Sequence, residues 1–333
     1  MSDHNLPCSG SERVATRRCA TLFGVTPGTV SVIGLGLIGG SILRAAARAG
    51  RTVRGHDTDP ATRTAARAAG PWPITDSLAG AVDGAELVVL AVPPAAVPAV
   101  LAELAGHPGV VTDAASVKQP VLAAARHAAV RFVGGHPMAG RERAGFAAGD
   151  ADLFTDRPWV LCLDEATDLT DWLAVAEFAL ALGARVVPAD AAEHDDAVAR
   201  VSHLPHLLAG VLAAQADGPL PATLAAGSFA DGTRVAASPP ELWADICAGN
   251  APAVRAALDR AIDDLAAART ALADPAALAS WFARGHAVRT GWPPGAGKSV
   301  AVPADAGSLL SLGRAGGWLT GIAGTRLTGV LPR

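Results

Sequence analysis

His136 has a setting suited to moving a proton, within Gly134-Gly135-His136-Pro137-Met138-Ala139-Gly140. It follows a short apolar run (Val130, Phe132, Val133) and precedes a turn of glycine, proline and small residues. A strand end of this kind fixes the backbone and presents an imidazole to a cleft. Histidine is also the side chain whose ordinary pKa lets it take and return a proton near neutrality. His136 is read as a general base.

A nucleotide site is legible upstream. Gly34-Leu35-Gly36-Leu37-Ile38-Gly39 forms GxGxxG between an apolar run at 29–33 and a helical stretch at 41–49. In that setting Gly34 makes the tight turn, Gly36 lets a pyrophosphate approach the backbone, and Gly39 lets helix pack on strand. Leu37 and Ile38 within the loop, with Val92 and Pro93 after the apolar run at 87–92, complete the expected cofactor contacts. The glycines alone are a weak signal; strand, helix and a well-spaced acid together make it a strong one. The acid is Asp57, placed to accept from the adenosine ribose, and its charge would repel the extra phosphate of NADP. NAD is therefore favoured, with His56 and Arg63 as the residues that leave NADP open. Asp59, before Pro60, is the better helix cap. A base beside a nicotinamide dinucleotide points to hydride transfer.

Three further stretches carry polar groups. Asp113-Ala114-Ala115-Ser116-Val117-Lys118 follows a strand, where open sheets place their ligand crevice. Ser116 either binds a substrate hydroxyl or orients His136, or else it caps the next helix with Lys118 solvated, and spacing favours the cap. In Ser202-His203-Leu204-Pro205-His206 two imidazoles at i and i+3 share a helix face, which Pro205 can kink. No cysteine or carboxylate completes a metal set there. The pair is either satisfied core histidine or, if it meets the crevice, a donor to a substrate carboxylate. Arg234 is a natural carboxylate partner, and an internal ion pair with Asp231 at i and i+3 is compatible with that role.

The elements that must hold these residues follow a consistent pattern. Strands at 29–33, 52–55, 87–92, 110–112, 132–133 and 159–163 alternate with helical segments, as in a doubly wound, mostly parallel sheet. From Asp168 onward alanine- and leucine-rich helices dominate, at 172–182, 191–214 and 252–273, with one more strand at 184–187. The expected organisation is α/β: a leader at 1–28, a Rossmann-like dinucleotide-binding domain at 29–167, and an all-α domain at 168–284 with apolar surface for a dimer. The Gly- and Pro-rich tail at 285–333 forms no obvious complete domain. The 333 residues suffice for two cores, and a net charge of −4 gives no footprint for nucleic acid. Cys8, Cys19, Cys162 and Cys247 lack metal or redox spacing and read as reduced thiols of a cytoplasmic protein. No apolar run approaches a membrane span, and the leader lacks the apolar core of a signal peptide.

Taken together, several stretches resemble the prephenate/arogenate dehydrogenase family of tyrosine biosynthesis. They are GLGLIGGS (34–41), DAASVK (113–118), GGHPMAGRERAG (134–145), LF..RPWVL (153–161), EHDDAVARVSHLPHLLA (193–209) and FADGTRVAASPPELWADI (229–246). HPMAG and SHLPH are the specific elements. The resemblance implies a nucleotide-binding domain, a helical dimerisation domain and an active site between them. It makes His136 the base and Ser116 its hydroxyl-binding partner. It assigns His206 and Arg234 to a substrate carboxylate with His203 close by, Glu142 and Asp231 to the polar network, and Trp243 to closing the site. Ala230 stands where family members often carry arginine, which thins that network. The regulatory domain that some members append is not recognisable in the tail. The implied reaction is NAD-dependent oxidative decarboxylation of prephenate to 4-hydroxyphenylpyruvate by a homodimer. Arogenate or 4-amino-4-deoxyprephenate is the nearer alternative substrate, and a non-catalytic NAD-sensing regulator the more distant reading.

Overall fold

The computed structural model describes residues 28–141, 143–295 and 297–332. A parallel sheet comes first: β1 (Thr29–Ile33), β2 (Thr52–His56), β3 (Leu87–Leu90), β4 (Val110–Asp113) and β5 (Phe132–Val133), in the order β2-β1-β3-β4-β5. Its central strand β3 is wholly apolar, as expected where helices cover both faces: α1 (Leu37–Arg48), α2 (Pro60–Ala69), α3 (Leu78–Val82), α4 (Val97–Glu103) and α5 (Gln119–Ala128). The period of two shows in the packing. Val30, Val32, Leu87 and Val89 join a core with Ile42 and Leu43. Ile33, Val88, Leu90 and Val111 join a separate one with Val97 and Leu101. Asp59 caps α2 through the N–H groups of Ala61 and Thr62, as its place before Pro60 led one to expect.

A second, mixed sheet begins with β6 (Gly135–Pro137), β7 (Pro158–Cys162) and β8 (Arg185–Ala189), with α6 (Leu169–Ala181) joining the last two. The chain then turns helical: α7 (Ala191–Val198), a π turn (Ala199–His203), α8 (Leu204–Ala214), α9 (Pro219–Leu224), α10 (Gly227–Thr233), α11 (Pro240–Gly249), α12 (Ala251–Ala271) and α13 (Pro275–Thr290). It returns to the sheet in β9 (Lys298–Val302), α14 (Ala306–Arg314), β10 (Trp318–Ala323) and β11 (Arg326–Leu331). The strand order is β6-β7-β8-β10-β11-β9.

Two expectations change here. The tail, which had looked too rich in glycine and proline for a domain, supplies half of this sheet. Leu309, Leu312, Leu319 and Leu327 from it share one core with Trp159, Trp172 and Phe178. Gly313 explains one of the glycines: a Cβ there would lie 1.8 Å from the Pro188 carbonyl oxygen, so α14 needs glycine to pack on β8. The boundary expected at 167/168 also falls inside this packed unit, since α6 and β8 belong to it and the helical run starts at Ala191.

The third correction concerns that run. Ala191–Ala214 spans 24 residues and holds an 18-residue stretch of mean hydropathy 1.3, long and apolar enough to cross a membrane by length and composition. It nonetheless carries Asp195, His194, His203 and His206 with polar partners, and it walls the site described below.

The shared core yields a test. Leu319 is fully buried, so Leu319→Ala should cost about 2–5 kcal/mol. Chemical denaturation followed by tryptophan fluorescence should show one destabilised transition. A separate early transition would mean that β9–β11 fold on their own.

Candidate active site

β6 pairs on one side only, antiparallel to β7, with His136 opposite Val160. His136 is buried, and its Nδ1 lies 2.8 Å from Nε2 of His194 on α7. His194 Nδ1 in turn lies 2.8 Å from Oδ1 of Asp195. An ionised carboxylate only accepts, so the proton on His194 sits at Nδ1 and its Nε2 is an acceptor. His136 must then donate from Nδ1, which leaves a lone pair on its Nε2. Burial, with the nearby His194, Lys118 and His203, holds His136 well below the ordinary histidine pKa, so it is neutral at neutral pH. Burial likewise lowers His194, against the pull of Asp195. Burial pushes Asp195 up, but the His194 hydrogen bond and the N–H groups of Gln119 and Lys118 outweigh it, and its pKa is lowered. The arrangement is a neutral imidazole backed by a second imidazole and a carboxylate.

The Asp113–Lys118 stretch lies beside β6. Lys118, expected to be solvated, is fully buried and ion-paired with Asp113. Lys118 is also the N-cap residue of α5, which has no side-chain cap of its own residues, so the expected cap by Ser116 is not made. Asp195 does the capping from α7, accepting from Lys118 N–H at 2.8 Å and Gln119 N–H at 2.9 Å. Ser116 is half-buried in the turn between β4 and α5, and no described hydrogen bond joins it to His136.

A second group gathers around Trp243 on α11. His206 stacks on its ring, centroids 3.2 Å apart, and His203 meets it edge-on at 6.2 Å. The shared helix face is therefore real, and the π turn just before Pro205 delivers it. Wide turns of this kind absorb a local irregularity and recur at functional sites. Asn250 Nδ2 donates to the Asp195 carbonyl at 2.7 Å and reaches His203 Nδ1 at 3.3 Å. That makes His203 Nε2 the protonated nitrogen, a buried donor with no partner among the described residues. Burial lowers its pKa to about 4, so it stays neutral. His206 donates from Nδ1 to the Ser202 carbonyl at 2.8 Å, and burial and the nearby Arg234 both lower its pKa. Arg234 is exposed and stands close enough to His206 to act on its charge. Asp231 is exposed on α10, and Glu142 lies outside the described residues.

The glycine loop fits a dinucleotide on its own geometry. Gly34 has φ +88°, and a Cβ there would sit 2.5 Å from the Ala91 carbonyl oxygen and 3.0 Å from Val92. Gly39 would collide with the Gly34 carbonyl oxygen at 1.8 Å, whereas a Cβ on Gly36 would meet nothing. Turn, helix-to-strand contact and open cradle thus fall on the three glycines in turn. α1 starts with no capping side chain and no acid in its first turn, leaving its N-terminal N–H groups for an anion. Asp57 accepts from Leu35 N–H at 2.7 Å and from Asp59 N–H at 2.9 Å, which fixes it at the loop. Arg63, a candidate for a 2′-phosphate, pairs instead with Asp76 and donates to the carbonyls of Asp57 and Thr58. His56 Nδ1 is engaged by the Thr75 carbonyl at 3.1 Å. Leu37, Ile38 and Val92 are half-buried around the loop and Pro93 is exposed. α11 packs on the turn at Pro94–Ala96, so the helical half closes over the strand ends of the nucleotide half.

Comparison with known proteins follows the same division. Residues 40–188 match the model for "Prephenate dehydrogenase, nucleotide-binding domain" and residues 190–282 that for "Prephenate dehydrogenase, dimerization domain". The chain belongs to the prephenate dehydrogenase family. The cyclohexadienyl dehydrogenase of Zymomonas mobilis is 38% identical over 259 residues, covering 73% of this chain and 88% of that protein. The prephenate dehydrogenase of Bacillus subtilis is 33% identical over 258 residues, covering 73% and 69%. The structure of A. aeolicus prephenate dehydrogenase with hydroxyphenyl propionate and NAD+ superposes with a TM-score of 0.75 at 26% identity, covering 80% of this chain and 99% of that one.

For a member of this family, sequence reasoning missed His194, Asp195 and Asn250, and it misplaced Lys118. The run Glu193-His194-Asp195-Asp196 was visible at a helix start, but nothing in one sequence says that it faces His136. Asp57→Ser removes a charge-assisted acceptor, a change of about 1.5–3 kcal/mol. It should weaken NAD and narrow the preference over NADP, measured as dissociation constants by fluorescence. An unchanged ratio would place ribose recognition elsewhere.

Proposed function

We propose that this enzyme carries out the oxidative decarboxylation of prephenate to 4-hydroxyphenylpyruvate, with His136 as the base on the ring hydroxyl. The cofactor is NAD, held by the 34–39 loop and Asp57. Bound NAD supplies the acceptor for the hydride. The observation that carries the proposal is the hydrogen-bonded series His136–His194–Asp195, which leaves the outer nitrogen of His136 bare. When that Nε2 takes the hydroxyl proton, the imidazolium is stabilised through His194 by the Asp195 carboxylate. Loss of proton and hydride makes a ketone that draws electrons across the ring, and carbon dioxide leaves as the ring becomes aromatic.

Arg234 and the His203 Nε2–H are assigned to substrate carboxylate, and Trp243 with His206 to the wall beside the ring. His206 offers a lone pair while neutral and becomes a donor only when an incoming anion favours its protonation. The arginine is best aimed at the side-chain carboxylate, since tight pairing with the departing one would stabilise the ground state. Ser116, Asp231 and Glu142 belong to the same proposal as polar residues around the hydroxyl and the cation. A second reading, arogenate or its 4-amino-4-deoxy relative as substrate, is favoured by the 38% identical protein being named a cyclohexadienyl dehydrogenase. The helical domain exposes Val201, Val211, Leu220, Leu224 and Leu272, a surface suited to a second copy, and we infer a homodimer. The thiols of Cys162 and Cys247 are free, which suits a cytoplasmic protein.

His136→Asn should lower turnover about 100- to 10,000-fold while NAD still binds; wild-type turnover would sink the assignment. Because His136 is held below its ordinary 6.5, the acid limb of kcat/KM should fall below that pH, and a limb above it would mean a different base. Arg234→Ala should mainly raise KM, by the equivalent of about 1.5–3 kcal/mol. NADH formation with prephenate and with arogenate decides the substrate, and no reduction with either would overturn the proposal.

A further inference from the structure

Gly135, the residue before the base, has an unusual set of partners. Gly134 O and Met138 N pair with β7, so Gly135 turns its own N–H and C=O to the other edge of β6. There a buried ion pair receives both. Asp113 Oδ1 accepts the Gly135 N–H at 2.9 Å, and Lys118 Nζ donates to the Gly135 carbonyl at 2.6 Å. The pair is closed on itself between Lys118 Nζ and Asp113 Oδ2, which also accepts from Ala115 N–H at 3.0 Å. Neither side chain has any exposed surface. A side chain on Gly135 would lie 2.6 Å from the Asp113 carbonyl oxygen, so the strand is held against this pair at closest approach.

A pair of this kind needs an explanation beyond stability. Breaking one costs a great deal, yet replacing both partners by neutral side chains is often close to neutral, so burial alone does not account for it. We propose that Lys118, with Asp113, is a positioning device for the reaction: it stands in for the missing neighbour strand of β6 and fixes the backbone that aims His136. This rests on His136 being the base.

The pair also has an electrostatic consequence. The groups facing His136 are His194 and Asp195 from α7, His203 from the π turn, Lys118 and Asp113 from the β4 side, and Cys162 on β7. Burial pushes the Cys162 thiol up, so it contributes no charge. Burial raises Asp113 against the pull of Lys118. The Lys118 cation is one of the influences that lower His136, after burial and His194. Asp113 carries the opposite charge at the same place, so neutralising both members together isolates the contacts to Gly135 from the charge.

Two neutral double variants separate grip from charge. Asp113→Asn with Lys118→Gln keeps an acceptor for the Gly135 N–H and a donor for its carbonyl. Asp113→Asn with Lys118→Met keeps only the acceptor. With NAD affinity and circular dichroism as checks on folding, the methionine variant should lose about 10- to 100-fold in kcat. The glutamine variant should recover most of that loss, with KM for NAD unchanged in both. Equal kcat in the two folded variants would overturn the positioning role. If the methionine variant does not fold, the glutamine variant decides: it keeps both contacts to Gly135, so near wild-type kcat is expected, and a loss beyond about 10-fold with NAD affinity retained would overturn the proposal. His136→Asn is measured alongside: its inactivity with unaffected double variants defeats only this inference, whereas its full activity defeats the base assignment and this inference together.

Discussion

Asp195 is the point on which the two halves of the molecule meet. Its Oδ1 takes the His194 Nδ1–H and the Lys118 N–H, and its Oδ2 takes the Gln119 N–H. One carboxylate on a helix of the dimerisation domain thus caps α5 of the nucleotide domain and sets the tautomer of the His136–His194 pair. A helix N-terminus favours a negative charge, and the carboxylate needs those donors to stay ionised in a buried place. Each requirement is met by the other. Asn250 extends the same logic to α12, since it binds the Asp195 carbonyl and fixes which nitrogen of His203 carries hydrogen.

Burial sets two competing demands on the base. It keeps His136 unprotonated, so that it is ready to accept, but it also makes the imidazolium costly once the proton arrives. Asp195 lowers that cost from two bonds away, and Lys118 is itself compensated by Asp113, so the cation does not stand alone near the base. Around the substrate the pattern is different. Arg234, the proposed carboxylate partner, is exposed, while the neutral His203 is buried with a donor nitrogen that has no partner among the described residues.

Much of this was legible in the sequence, for physical reasons. The glycine loop, Asp57 and the apolar strands are local signals, each residue type being dictated by its own backbone or by covered sheet faces. His136 was legible as a candidate base from its place between a strand and a tight turn. The contacts of His194 and Asp195 were not, because their partners His136 and Lys118 lie 58 and 77 residues away; Asp113 is close to Lys118 in sequence, but Lys118 looks the same whether solvated or buried. The tail misled for a related reason: glycines such as Gly313 read as loop until the strand they press against is known.

That tail changes the mechanical character of the enzyme. The helical segment from α7 to α13 leaves the second sheet after β8 and re-enters it at β9, with β10 lying directly against β8. A domain held by a single linker has one covalent tie to its neighbour, whereas this one has two, both in the same sheet. Two attachments to one sheet restrain the helical segment more than a single linker would, and α7, which carries His194 and Asp195, begins beside one of them.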